Sequence, residues 1–175
     1  MDNAQLVNKD SGKTAYFTQP FIIEAARATM GRIDLDPASC AAANAIVKAS
    51  RYFDAMIDGL KQPWLGNVWL NHPFSRQGNP RWIKKAVSEF ESGNAYQITC
   101  ITYAATSEEW TEPLFNFPIC FLRPRTNYLI VGADGLLVET TDVTKGSMVT
   151  YMGQNVDQFV AKFNKFGKVM LPAGV

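Results

Sequence analysis

The sequence predicts a single α/β domain with a mainly parallel central sheet flanked by helices. Two observations lead to this prediction. Short apolar, β-favouring runs alternate along the chain with segments whose apolar residues recur at helical spacing. Several of these runs stop at a polar or proline-containing loop, as strands do at the ligand-binding edge of an open α/β sheet. A chain of 175 residues suits one domain with a sizeable core, and neither an internal repeat nor a second domain is visible.

Local signals place the elements of the first half. Residues 1–15 are polar and predict a flexible lead-in, so the folded domain is expected at residues 16–175. Pro20 suits the first turn of a helix, where its missing N–H is not needed, and Gly31 suits the end of that helix. The predicted elements are an extended segment at 16–20, a helix at 21–30, a strand at 33–39, an alanine-rich helix through Ala45, strands at 52–53 and 68–70, and a polar, flexible loop at 75–80.

The second half continues the alternation of helices and strands. In a helix at 82–92 the apolar side chains face inward at helical spacing, whereas Lys84, Lys85, Glu89 and Glu91 face outward. The remaining predicted elements are a strand at 97–103, a short helix at 107–115, a strand at 118–122, a surface excursion at 132–146, a strand at 147–152, a helix around 156–163 and a closing segment at 167–171.

Composition and charge limit the possible functions. The chain is 47% hydrophobic and 19% charged, and its net charge of +1 gives no overall basic field, so any DNA contact must come from local clusters of Lys or Arg. Cys40, Cys100 and Cys120 lie in apolar or small-residue runs without metal-ligand spacing, which predicts buried thiols in a reducing compartment and no metal site. No segment is apolar enough to cross a membrane, so we expect a cytoplasmic protein.

The most informative stretch is Asn67 to Ser75, in which an apolar run ends abruptly. Pro73 cannot donate to a sheet ladder and pushes His72 toward extended geometry, so a rigid loop is expected at the carboxyl end of a strand. The Asn71 side-chain oxygen and the His72 carbonyl could both accept from one –NH₂ on a flat ring, which would localise the nitrogen lone pair. Phe74 could stack on that ring. The alternative is an ordinary strand-to-loop turn with a buried phenylalanine.

Two aspartates near strand ends each have a functional and a structural interpretation. Asp36 could accept from amine or hydroxyl groups of a ligand, but Asp36 or Ser39 could instead cap the alanine-rich helix. Asp58 could accept from an adenine amine, with Leu60 lining the ring, but an Asp-Gly pair is usually only a turn.

Local positive charge comes from four arginines in or near these loops, Arg76, Arg81, Arg123 and Arg125. Guanidinium groups suit forked contacts with phosphate oxygens, which predicts DNA contact. The alternative is that these are surface arginines without a ligand.

Several motifs agree in order and spacing with one known family. They are YFTQP at 16–20, IDLDPAS at 33–39, the run from Asp58 to Trp64, VWLNHPFS at 68–75 with Trp82 following, AATSEEW at 104–110 and GSMVTYMG at 146–153. Over roughly residues 16–167 the chain resembles the phage-type DNA N6-adenine methyltransferases, which are S-adenosylmethionine-dependent enzymes with a single Rossmann-like domain. The resemblance implies methyl transfer to adenine N6 in double-stranded DNA by way of base flipping, in the host-cell cytoplasm if the chain is phage-encoded.

Carried over by position, the resemblance also implies roles for individual residues. These are Thr18 and Pro20 in the lead segment against the cofactor, Asp36, Pro37 and Ala38 in the cofactor loop, Asp58 and Leu60 at the cofactor adenine, and Asn71, His72, Pro73 and Phe74 in a catalytic loop similar to NPPY. The chain departs from the family pattern where His72 replaces the first proline and where Gln19 interrupts a Thr-Pro pair. The glycine-rich cofactor signature of many methyltransferases is absent. The His72 imidazole is not required as a base, because an sp² amine loses its proton readily after methylation.

Two other functions stay open at this point. The same loop suits the N4 amine of cytosine or an amine of an RNA base. A binding protein that keeps the fold but has lost turnover is the non-catalytic alternative, motivated by His72. The chain has little room for a dedicated target-recognition domain. Either its sequence preference is weak, or target recognition comes from the loops at 76–80 and 123–146 or from a second subunit, so a homodimer is also left open.

Overall fold

The computed structural model describes residues 16–141 and 143–174, so the lead-in predicted at residues 1–15 lies outside the described residues. In this part of the chain a seven-stranded mixed sheet carries helices on both faces, and a two-stranded hairpin is separate from the sheet. The predicted α/β class is confirmed.

The helices are α1 (Pro20–Met30), α2 (Ala41–Val47), α3 (Gly78–Glu91) and α4 (Val156–Phe163), with 3₁₀ helices at Gly59–Lys61 and Glu109–Asn116. The strands are β1 (Leu35–Asp36), β2 (Arg51–Tyr52), β3 (Gly66–Leu70), β4 (Ala95–Tyr103), β5 (Ile119–Leu122), β6 (Leu129–Val131), β7 (Leu137–Glu139), β8 (Ser147–Met152) and β9 (Gly167–Met170).

The sheet is parallel in one half and antiparallel in the other. Its order is β2-β1-β3-β4-β8-β5-β9, and the first four strands pair in parallel. The prediction of a mainly parallel sheet therefore holds for these strands, whereas β8 pairs antiparallel with both β4 and β5, and β9 pairs antiparallel with β5. Among its described residues, the connection from β5 to β8 contains the β6–β7 hairpin and no crossover helix, so β8 begins at the end of the sheet where β5 stops and runs antiparallel to it.

The core lies on both faces of the sheet, and β3 shows how the sequence builds it. Val68 and Leu70 pack on the face covered by α3, and Trp69 packs on the face covered by α1 and α4. All three side chains are fully buried. A strand buried on both faces reads as a continuous apolar run, as this one does.

The extended segment before α1 is tied to the hairpin. Phe17 and Leu129 form an isolated antiparallel bridge in which each N–H donates to the other residue's carbonyl at 2.8 Å. Pro20 occupies the first turn of α1, and Gly31 ends the helix with a φ of 85°. Both predictions for this helix are confirmed.

Helix α3 begins earlier than the sequence pattern predicts. The loop predicted at 75–80 is helical from Gly78, because polar side chains close the turn before it. The Ser75 hydroxyl accepts from the Gly78 N–H at 2.9 Å, and the Asn79 side-chain oxygen accepts from the Ser75 N–H at 3.1 Å.

The outward orientation predicted for Glu89 is wrong, since its side chain is buried. The carboxylate pairs with Lys85, and it accepts from the Asn94 side-chain amide at 2.9 Å. These partners compensate for the loss of water around a buried charge.

The structural alternative for Asp36 and Ser39 is also wrong, because Cys40 caps α2. Its sulfur accepts from the Ala43 N–H. The strand predicted at 33–39 is reduced to Leu35–Asp36. Cys40, Cys100 and Cys120 are buried, as predicted. Across residues 16–141 and 143–174, none of the helices has the length and apolar character needed to cross a bilayer.

Candidate functional site

A cavity of about 1060 Å³ opens at the carboxyl edge of the parallel strands. Its walls come from the segments that follow β1, β3 and β4, from the extended segment before α1 and from the turn at residues 54–60. Open α/β sheets bind ligands at this edge. The predicted site residues that line the cavity are Thr18, Asp36, Pro37, Ala38, Asp58, Leu60, Asn71, His72, Pro73, Phe74, Arg76 and Arg81.

Three predicted site residues lie outside the cavity wall. Pro20 is exposed in the first turn of α1, directly after the segment that contains Thr18. Arg123 and Arg125 are exposed in the loop after β5. The structure therefore brings the predicted cofactor and catalytic loops together but separates two of the four arginines from them.

The Asn71 amide is oriented by a contact with a distant part of the chain. Its Nδ2 atom donates to the Tyr16 carbonyl at 3.1 Å. Because a backbone carbonyl can only accept, this contact determines which end of the amide is NH₂. The Oδ1 atom at the other end is an acceptor in a residue that lines the cavity.

An aromatic cluster surrounds Phe74, and its other members were missed by sequence reasoning. The Phe74 ring lies 4.3 Å from that of Tyr103 and 6.4 Å from that of Tyr128, and Tyr128 makes an edge contact with Tyr16 at 6.1 Å, all between centroids. Tyr103 is the last residue of β4, so the strand-end argument that selected Asn71 could have selected it as well.

Lys145 is a second feature that the sequence did not reveal. Its ammonium lies 5.1 Å from the centroid of the Tyr103 ring and carries positive charge to the cavity wall. A neighbouring cavity of about 440 Å³ shares Tyr16, Phe74, Tyr103 and Lys145 with the larger one. No sequence pattern selected Lys145 itself. It follows the β6–β7 hairpin, and the bond from the Ala104 N–H to the Gly146 carbonyl holds this segment beside the end of β4.

Asp36 places a buried carboxyl group in the cavity wall. Burial raises its pKa to about 7, although hydrogen bonds from the Ser39 hydroxyl and the Ala38 N–H act in the opposite direction. The Ala38 N–H lies 3.2 Å from Oδ1. A carboxyl with a strongly shifted pKa in a cleft is a frequent property of functional sites.

Asp58 is both a turn residue and a wall residue, so the structural interpretation of this residue is correct but incomplete. Its Oδ1 accepts from the Leu60 N–H at 3.2 Å, and its Oδ2 pairs with Lys61 at 2.9 Å. The hydrogen bond from Lys61 lowers the pKa of Asp58, so the carboxyl is ionised at neutral pH. A second acid is thereby placed at the turn that faces the Asp36 loop.

Gly59 allows these two loops to approach each other closely. A Cβ atom at this position would lie 1.9 Å from the Pro37 carbonyl oxygen. The Trp64 indole N–H donates to the Gly59 carbonyl at 2.8 Å and holds the turn from behind. Only glycine fits where the backbones of the Asp36 and Asp58 loops meet.

His72 is embedded in the cavity wall with 1% of its surface exposed. Its ring stacks on Trp82 at an interplanar angle of 9°, and its Nδ1 lies 3.1 Å from the Pro73 carbonyl oxygen. Burial lowers the pKa of His72 to about 4, although the hydrogen bond to Pro73 raises it, so the imidazole is neutral at neutral pH.

A family model described as DNA N-6-adenine-methyltransferase (Dam) matches residues 7–166. The match covers every segment that lines the cavity. A comparison with curated protein sequences found no match.

Proposed function

The chain belongs to the DNA N-6-adenine-methyltransferase (Dam) family, and from this premise we propose that it transfers a methyl group from S-adenosylmethionine to the N6 amine of adenine in double-stranded DNA. Family membership itself indicates methylation of DNA adenine. The cofactor, the residues and base flipping are our proposal. The fold assignment that goes with it is a Rossmann-like methyltransferase domain.

One observation carries the proposal. The Asn71–Phe74 loop lies in the wall of the same cavity as the loops of Asp36 and Asp58. An amide oxygen and an aromatic ring suit a flat base, and two acids suit a ligand with amine and hydroxyl donors. A donor and an acceptor of the methyl group can therefore be held within one space.

The residues present fit S-adenosylmethionine as the ligand of the acid-lined part of the cavity. A volume of about 1060 Å³ is at the upper end of the range for cofactor sites. We assign Asp36, Pro37 and Ala38 to one side of the cofactor, Asp58 and Leu60 to its adenine, and Thr18 to the lead segment against it. When bound, this cofactor supplies a methyl group on a positively charged sulfur.

The target amine is held by the Asn71–Phe74 loop in this proposal. The Asn71 Oδ1 atom and the His72 carbonyl accept hydrogen bonds from the two N–H groups of this amine. The nitrogen lone pair is then less delocalised into the base and points at the methyl group. Phe74 stacks on the extruded base, and such stacking contributes about 1–3 kcal/mol per base. Pro73 limits the motion of the loop, and holding both reactants in register contributes most of the rate enhancement.

Positive charge around the cavity supports contact with DNA. Arg76 and Arg81 are exposed in the cavity wall, and Arg123 and Arg125 are exposed beyond it. We propose that all four contact phosphate groups, which predicts binding that weakens as salt rises. The cytoplasm, that of a host cell for a phage-encoded chain, is the proposed location.

The proposal is tested by incubating the protein with radiolabelled S-adenosylmethionine and unmethylated double-stranded DNA. The DNA is then digested, and the nucleosides are identified by mass spectrometry. We expect N6-methyladenine. N4-methylcytosine, or labelling of RNA alone, would replace the proposed substrate with one of the alternatives. No transfer to any nucleic acid, together with no binding of S-adenosylhomocysteine in calorimetry, would refute the enzymatic function.

Cofactor affinity is expected to depend on the ionisation of Asp36. With a pKa of about 7, the ionised fraction falls about tenfold between pH 8 and pH 6. Because the ionised form is the stronger acceptor, the dissociation constant for S-adenosylhomocysteine should rise by about the same factor over that interval. Asp36→Asn should bind weakly at both pH values, and calorimetry measures both constants.

Two controls accompany this prediction. The folded-state pKa of Asp36 lies above the unfolded value, so stability present at low pH is lost as pH rises through about 7. Asp36→Asn should therefore raise the Tm at the higher pH, which separates weak binding from unfolding. Asp157→Asn, in the first turn of α4, should keep the wild-type pH dependence. If Asp36→Asn showed the wild-type pH dependence of the dissociation constant, that dependence would have to come from another titrating group.

A further inference from the structure

His72 is the single histidine of the chain, and the aromatic residues around it restrict its ring. It lies parallel to the Trp82 ring with centroids 6.2 Å apart, and it makes an edge contact with Phe74 at 5.2 Å. With 1% of the residue exposed, the ring cannot rotate without displacing one of these neighbours. The imidazole is therefore a fixed part of the Asn71–Phe74 loop.

The contact between His72 and Pro73 determines the tautomer. Nδ1 lies 3.1 Å from the Pro73 carbonyl oxygen. A carbonyl has no hydrogen to give, so Nδ1 must carry the proton and donate it to this bond. The bond restrains the peptide between Pro73 and Phe74, because it engages the Pro73 carbonyl.

The other ring nitrogen belongs to a ring that packs between Phe74 and Trp82. Nε2 is buried, and among the described residues no hydrogen-bond partner lies within reach of it. A buried nitrogen that is closed to the cavity can neither take a proton from the target amine nor contact a bound ligand without rearrangement. Protonation would also place a second, unpaired N–H and a charge in apolar surroundings.

We propose that the His72 imidazole is a positioning residue that holds the loop by its Nδ1–H bond to the Pro73 carbonyl, leaving the carbonyl of His72 itself to accept from the target amine. The bond does by side-chain contact what a second proline ring would do by restricting the backbone. This inference rests on the proposed function, because its consequence is the rate of methyl transfer. Unlike a general base, the imidazole neither gains nor loses a proton during turnover.

Two substitutions separate the bond from the packing of the ring. Asn places an amide N–H where Nδ1–H stands but lacks the ring, so His72→Asn keeps the bond. His72→Phe keeps the ring against Trp82 but has no donor. Loss of one hydrogen bond of this kind corresponds to a factor of up to about ten. We expect kcat to fall about tenfold in His72→Phe and to be largely rescued in His72→Asn, with S-adenosylhomocysteine binding unchanged in both.

The outcomes of this experiment are distinct. A higher kcat in His72→Phe than in His72→Asn would show that ring packing matters and the bond does not. Equal loss in both would favour a proton-transferring imidazole, and wild-type rates in both would remove any role for the side chain. Each of these three results overturns the proposal.

A measurement on the unaltered protein tests the bond without activity. Because there is one histidine, nitrogen-15 NMR of the imidazole gives an unambiguous signal. We expect the neutral Nδ1–H tautomer at neutral pH, with protonation only near the pKa of about 4. The Nε2–H tautomer, or an imidazolium at neutral pH, would overturn the proposal. A protein with the expected tautomer but no methyl transfer to any nucleic acid would instead refute the proposed function.

Discussion

Asn71→Ala is expected to lower kcat for methyl transfer by about a hundredfold to a thousandfold, the effect found when one preorganised polar contact to a reacting group is removed. The variant loses the Oδ1 acceptor for the target amine and the Nδ2 contact with the Tyr16 carbonyl. It should still bind S-adenosylhomocysteine, because the acids assigned to the cofactor are on other loops. Single-turnover transfer of a radiolabelled methyl group and calorimetry measure the two quantities separately.

Asn127→Ala is the matched control for this prediction. Asn127 makes an amide contact with Glu139 at 2.9 Å in the hairpin region and does not line the large cavity. We expect this variant to transfer methyl groups at close to the wild-type rate. Retention of activity in Asn71→Ala would remove Asn71 from the catalytic assignment, and loss of cofactor binding in that variant would show that the loop supports the cofactor instead.

Gly59→Ala is expected to damage the cofactor site and the fold together. The added Cβ would lie 1.9 Å from the Pro37 carbonyl oxygen and 2.9 Å from its carbonyl carbon. Backbone cannot move aside as a flexible side chain does, so the Asp36 and Asp58 loops must separate. Forcing an extra carbon into a packed site costs about 1–3 kcal/mol or more of stability. Cofactor affinity should fall by at least about tenfold, since the two acids no longer face one ligand.

Gly146→Ala tests whether the effect is specific to that contact. Gly146 also lines the cavity, but a Cβ there would meet only the Ala104 Cβ, at an ordinary distance of 3.7 Å. Its Tm and its dissociation constant for S-adenosylhomocysteine should stay close to wild type. A Gly59→Ala protein with unchanged Tm and unchanged affinity would contradict the close approach of the two loops.

The sequence predicts well those features that depend on neighbouring residues. Pro20 and Gly31 bound α1 because their backbone preferences act within a single turn. The run of Val68, Trp69 and Leu70 identifies a strand buried on both faces, and the proline that follows identifies its end. Strand ends then indicate the cavity, since parallel strands deliver their carboxyl ends to one edge of the sheet.

Features that depend on contacts between distant segments were not predictable in this way. Glu89 has an ordinary outward position in the helical pattern, but Lys85 and Asn94 provide the partners that allow its burial. Lys145 approaches Tyr103 only because the excursion after β5 returns over the end of β4. The antiparallel half of the sheet has the same origin, as strand direction is set by the connection and not by the composition of the strand.

The Tyr16 carbonyl joins the extended segment before α1 to the side-chain amide of Asn71, 55 positions further along the chain. A shortened protein that begins at the first helix would still contain every acid and ring assigned to the reaction. It would nevertheless lose the Tyr16 carbonyl, the acceptor that keeps the Asn71 side-chain amide from flipping. If Asn71 acts as we propose, the segment before α1 belongs to the reaction centre, and it should be kept intact when shorter versions of the protein are made.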